Sequence, residues 1–256
     1  MIKKTLAAAA ALLATATMAS AADLAVKARP VVPVEVWSWT GFYLGVHAGA
    51  GWGITESTIT GIGGAPIAFA FPFSQNDRSG FLGGGQIGAN WQSGWAVFGV
   101  QGDIAGMNVK GTTPCGIVVN LFTCQSESKW LASVTGRLGA VVLDRGLVYV
   151  KGGGAWLNTD HNVNLPLVVP AINVTSLNST AWGWTIGLGT EWMITRNWTA
   201  FIEYNYYDFD KKTETFAINP LLGGGTVRAD LRNTLSTAKV GVNYKFDWGT
   251  PVVAKY

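Results

Sequence analysis

Apolar side chains recur at every second position in eight separate stretches of this 256-residue chain, and that repetition narrows the possible fold more than any other feature. A period of two belongs to a β-strand, whose successive side chains point to opposite faces. In the first stretch Phe42, Leu44, Val46, Ala48, Ala50 and Trp52 alternate with Tyr43, Gly45, His47, Gly49 and Gly51. Similar stretches lie near 80–92, 95–106, 129–141, 147–157, 181–193, 198–207 and 239–246. In the second, Leu82, Ile87, Ala89 and Trp91 are set against Gln86, Gly88 and Asn90, although the glycine run at 83–85 blurs the phase. Each stretch is about ten residues long, the length a tilted strand needs to cross a bilayer.

The connections supply an independent argument. Those after the second, fourth and sixth stretches are tight (Ser93-Gly94, Leu143 to Gly146, Ile194 to Asn197), whereas the others run to roughly twenty residues, as in membrane barrels with short inner turns and long outer loops. Strict alternation of short and long connections predicts an all-β, eight-stranded antiparallel up-and-down transmembrane β-barrel. An even strand number also brings both ends of the chain to the same side.

Composition agrees. The chain is 48% hydrophobic and only 13% charged, with a mean hydropathy of +0.25. A soluble domain, such as a lipocalin-like barrel, would struggle to cover its surface with so little polarity. Lys3 and Lys4, an Ala/Leu-rich core and Ala19-Ser20-Ala21 resemble a secretory signal cleaved near Ala21; the core is short for a membrane anchor. The expected organisation is a signal peptide at 1–21, a Pro-containing periplasmic lead-in at 22–38, the barrel at 39–246 and a short tail at 247–256, all exported to the outer membrane. Of the net charge of +3, the signal accounts for two, so the chain has no basic face for nucleic acid.

Tryptophan placement fits two interfacial bands. Trp91, Trp95, Trp192, Trp198 and Tyr244 border the short turns, with Trp37 and Trp39 before the first strand and Trp248 after the last on the same side, and Trp52, Trp130, Trp156, Trp182 and Tyr206 border the long connections. An indole or phenol prefers the membrane interface because one edge bonds to water while the ring stays apolar. The competing expectation, aromatics in a soluble core, does not explain their position at strand ends.

The opposite faces of the strands would line the lumen with Gln101, Asp103, Arg137, Lys151, Glu191, Glu203 and Lys239. Charges in so narrow a space need partners, and the lumen of an eight-stranded barrel is just wide enough for side chains to fill it. A sealed, salt-bridged interior is the first expectation. A narrow aqueous path for small solutes is the alternative, with inward Gly45, Gly49, Gly88, Gly183, Gly187 and Gly189 leaving room for it. His47 is expected to form hydrogen bonds in the lumen, and His161 to lie in an outer loop. No nucleophile–base cluster, metal-binding motif or phosphate loop accompanies them, so no catalytic residue, metal or cofactor is assigned. Cys115 and Cys124, in a polar irregular segment of an exported chain, are expected to form a loop disulfide. The long connections at about 54–78 and 158–179 are expected to be surface loops, able to form a lid or bind a ligand.

Trp39-Thr40-Gly41-Phe42-Tyr43-Leu44-Gly45 resembles the opening of the small alphaproteobacterial outer-membrane proteins, porin-family members of the OmpA-like barrel group. The likeness continues through Phe98-Gly99-Val100-Gln101-Gly102-Asp103-Ile104, with Gln101 where Glu is usual, and through Gly136 to Gly139, Gly183 to Gly187, Phe201 to Tyr204 and Val240 to Phe246. The resemblance implies an abundant envelope protein and surface antigen, set among outer-membrane lipid and lipopolysaccharide. It also implies that Tyr244 and Phe246 form the terminal-strand signal read by the barrel-assembly machinery, although here ten residues follow Phe246. Some relatives bind hemin, for which His161 is a candidate axial ligand.

Overall fold

The computed structural model describes residues 37–115, 122–165, 172–218, 220 and 224–246. The expected signal peptide, most of the lead-in and the tail with Trp248 lie outside the described residues. Eight strands follow one another: β1 (Gly41–Ile62), β2 (Ala65–Ser93), β3 (Ala96–Cys115), β4 (Phe122–Val142), β5 (Gly146–Leu165), β6 (Ile172–Met193), β7 (Trp198–Ala217) and β8 (Thr226–Phe246). Each pairs antiparallel with its neighbours, and β1 closes on β8 from Phe42↔Phe246 to Ile62↔Val227. Closure leaves no free sheet edge where the strands cross lipid, which a bilayer would penalise because it offers backbone groups no partner.

Side chains alternate between lipid and lumen as the period of two requires. Val46, Ile104, Val134, Leu188 and Ile202 are exposed on the outside, while Gln101, Asp103, Arg137, Glu203 and Lys239 are buried within. Trp91, Trp95, Trp192, Trp198 and Tyr244 project outward at the end with the short turns. Trp52, Trp130, Trp156 and Trp182 do so at the other end, with a partly exposed Tyr206. Ring pairs stitch adjacent strands within each band, such as Trp198–Tyr244 at 5.2 Å and Trp184–Tyr206 at 5.8 Å between centroids. Between the two bands lies the membrane-spanning part.

Beyond the upper band the structure departs from the expected loops. The strands run on, to 22 residues in β1 and 29 in β2, well past the 9–11 that a bilayer needs. Segment 54–78 is therefore a hairpin, turned by Gly63-Gly64 with φ of 63° and 83°. Both turn residues need positive φ, which glycine adopts without steric cost. The described parts of 158–179 likewise belong to β5 and β6. Cys115 and Cys124 are disulfide-bonded with Cα atoms 5.8 Å apart, joining the end of β3 to β4 within paired strands.

Two further positions differ from expectation. Leu82 faces the lumen, opposite to Ile87 and Trp91, because the run Gly83-Gly84-Gly85 keeps strict alternation and puts Gly84 inside. Trp39 lies inside the periplasmic mouth rather than near the aromatic band, packed with Val97, Leu147, Tyr149 and Met193.

Candidate functional site

Among the described residues the lumen gathers charged groups away from water, and its side chains stack in layers. Trp39 and its cluster close the periplasmic mouth, with Trp37 packed beneath and the Arg145 guanidinium 4.3 Å from the Trp37 ring centre. The Trp39 backbone N–H donates to Gln92 Oε1 at 2.8 Å, anchoring the segment just before β1.

Above this mouth lies a network with three cations and three carboxylates. Arg137 Nη2 meets Glu191 Oε2 at 2.8 Å, and Lys151 Nζ lies 2.7 Å from Glu203 Oε1. Lys239 Nζ bridges Asp103 at 3.1 Å and Glu203 at 3.4 Å. The balance is local as well as overall, as buried charges require. Neutral donors complete the carboxylates: Thr199 and Asn243 on Glu191, Tyr149 and Asn205 on Glu203, and Ser133 on Asp103. Arg137 also donates to the Tyr43 hydroxyl and lies 3.9 Å from the Tyr149 ring centre. Gln101, Asp103, Arg137, Lys151, Glu191, Glu203 and Lys239 thus fall in one connected cluster, with Gln101 accepting a hydrogen bond from Tyr43 at 2.9 Å.

The inward glycines do not leave a path. A Cβ on Gly88 would lie 2.4 Å from the Tyr43 ring, and one on Gly189 would lie 2.6 Å from that of Tyr149. Gly45 and Gly187 are filled in the same way by the Asn243 and Asn205 amides, and Gly49 and Gly183 face the backbones of β8 and β7. Gly45, Gly88, Gly187 and Gly189 make room that neighbouring side chains use, and Gly49 and Gly183 let neighbouring backbone approach. Nor does His47 form hydrogen bonds: it is buried, and both ring nitrogens lack a partner among the described residues.

A layer that the alternation did not predict covers the network on its outer side. Leu82, Met107, Val109, Leu131, Leu157 and Leu235 form one buried cluster with the stacked rings of Tyr207 and Phe209. Val109 and Tyr207 are 0% exposed and Leu131, Leu157, Phe209 and Leu235 are 1%. Side chains lining a water-filled pore would be touched by water; these are not.

Above the apolar layer a second polar tier surrounds Arg78, which donates to Ser128 Oγ at 2.6 Å and Asn233 Oδ1 at 3.2 Å. His161, expected in a loop, sits on β5 within this tier, buried, with Nδ1 3.0 Å from Ser126 Oγ. It lies five residues beyond Trp156, outside the membrane-spanning part, and burial, then the Arg78 charge, push its pKa down to about 4. Among the described residues no group of histidine, cysteine and carboxylate side chains could hold a metal.

Comparison with known proteins follows the same line. The family described as outer membrane protein beta-barrel domain matches residues 7–246. The chain is 32% identical to the 31 kDa outer-membrane immunogenic protein of Brucella melitensis, covering 90% of this chain and 95% of that one. A 22 kDa outer membrane protein of Rhizobium leguminosarum is 29% identical over 72% of this chain and 69% of its own length. Among solved structures, the outer membrane protein OprG of Pseudomonas aeruginosa superimposes with a TM-score of 0.54 at 13% identity, covering 83% of this chain and 99% of that one, a likeness of fold.

Proposed function

Because the chain belongs to the outer membrane protein beta-barrel domain family, we propose that it serves the outer membrane as a sealed structural barrel that stabilises the envelope and displays its extended hairpins outside. One observation carries this reading: the Leu131, Leu157, Tyr207, Phe209 and Leu235 layer, with at most 1% exposure, lies across the lumen above a charge-balanced network. Ions crossing would have to displace packed apolar side chains and then break buried ion pairs, both costly. The pore alternative would need an opening through that layer. The reading is non-enzymatic, its charged side chains being engaged with one another within the network.

On this reading the two aromatic bands sit among lipid and lipopolysaccharide headgroups. The barrel-assembly machinery inserts the chain through its last strand, whose Tyr244 and Phe246 rings lie 4.9 Å apart at the periplasmic end. Relatives named as immunogenic outer-membrane proteins support a surface-displayed role. Deleting the gene and restoring it tests the envelope role: uptake of an apolar fluorescent dye by intact cells rises on deletion and returns to the starting level on restoration. Uptake that deletion leaves unchanged contradicts it.

A further inference from the structure

Above the Arg78 tier the barrel opens into a cavity of about 260 Å³. Most of its exposed lining is apolar, from side chains such as Ile59, Phe73, Phe122, Phe216, Val227 and Leu231, with hydroxyl and amide groups such as those of Ser57, Gln125 and Asn162 among them. Such a lining gives water few partners. The volume is near the lower end of small-molecule sites, about 300–1,000 Å³. His161 borders the cavity, and its Nε2 has no partner among the described residues.

The wall also has a seam. Pairing of β6 with β7 stops at Gly183↔Phe209, although β6 remains paired with β5 out to Ile172 and β7 with β8 out to Ala217. Gly183 lies between Trp182 and Trp184, so the strands part at the level of the upper aromatic band. Among the described residues, hydrogen bonds donated by side chains span the gap: Ser179 Oγ donates to Glu214 Oε1 at 2.7 Å, and Lys212 Nζ donates to the Thr180 carbonyl at 3.1 Å. Val174 on β6 and Phe216 on β7 line the cavity from either side of this seam.

We infer that this vestibule is a binding site for a small, largely apolar molecule carrying one hydroxyl group, admitted through the β6–β7 seam at the membrane surface. The apolar lining supplies affinity by removing hydrocarbon from water. A hydroxyl both donates and accepts, so it satisfies His161 Nε2 in either tautomer once the ring turns toward the guest. The apolar layer below closes the far end, so the molecule is held rather than passed through.

The probe is 4-ethylphenol, added to the mature protein in lipid nanodiscs with methyl resonances followed by NMR and protein-free nanodiscs as the blank. Saturable shifts are expected at Val163, Val174 and Val227, all cavity-lining. Filling the space with Ala229→Phe abolishes them, and His161→Phe weakens binding at least tenfold. If Ala229→Phe fails to fold, as read by heat-modifiable gel mobility, Val174→Phe fills the same space from the seam. Shifts that grow linearly with probe, alike in wild type and filled variant, would mean partition into lipid only and overturn the proposal. Saturable binding that His161→Phe leaves intact would overturn the role of the hydroxyl.

Discussion

Lys151 on β5 reaches past β6 to Glu203 on β7, placing Nζ 2.7 Å from Oε1 with both side chains wholly out of solvent. The pair ties non-adjacent strands through the lumen, a link that backbone pairing cannot make. Breaking a buried pair by removing one partner costs about 3–5 kcal/mol. Here Lys239, 3.4 Å from the same oxygen, shares the carboxylate, so Lys151→Met is expected at the lower end, about 3 kcal/mol. Urea unfolding of the barrel in lipid vesicles measures it. Lys151→Met combined with Glu203→Gln recovers part of the loss, since no carboxylate is then left short of charge; a double variant weaker than the sum of the singles would contradict the pairing.

Glycine on the two faces of the wall should respond in opposite ways. Gly189→Ala places a methyl 2.6 Å from the Tyr149 ring, forcing that ring aside and breaking its 2.9 Å hydrogen bond to Glu203. Overpacking of this kind costs about 1–3 kcal/mol. Gly136→Ala points to lipid with nothing within 4 Å and is expected to change little. Equal unfolding midpoints for the two variants would show that the Tyr149 ring is not packed against Gly189.

His161 makes the outer end sensitive to acid. Its pKa is pushed from 6.5 down to about 4 by burial, then by Arg78, against the opposing pull of Asp160 and Glu214. Between these values the unfolded chain binds the proton and the folded chain does not. The stabilisation is therefore complete above pH 6.5 and declines as the pH falls toward 4, by at most about 3 kcal/mol. Protease cleavage of the outer β4–β5 region in nanodiscs should accelerate from pH 7 to pH 5, and His161→Phe should remove the acceleration. An imidazole resonance titrating near 6.5 would contradict the burial.

The lipid-facing half of the fold was legible because hydrocarbon tolerates no unpaired polarity, so the alternation from Phe42 to Trp52 or Trp182 to Trp192 leaves little choice of structure. Lumen charges could be read from the same phase. The apolar layer was missed because it occupies the lumen phase beside outward aromatics, in Phe81-Leu82, Trp130-Leu131 and Trp156-Leu157. These doublets break the alternation on three strands at similar heights next to the upper band, and that coincidence was the available signal. Strand continuation past the membrane was hidden for another reason. Segments such as Asn158 to Asn164 meet water on one face, so hydropathy no longer alternates although pairing continues to Asn164.

The central claim is that packed side chains close the lumen. Planar-bilayer recording of refolded residues 22–256 tests it most directly once gel mobility shows that the barrel has formed. The account predicts a folded protein that inserts and stays silent, with current steps appearing only when the apolar layer is cut back, as in Tyr207→Ala with Phe209→Ala. Reproducible steps from the wild-type barrel would contradict it.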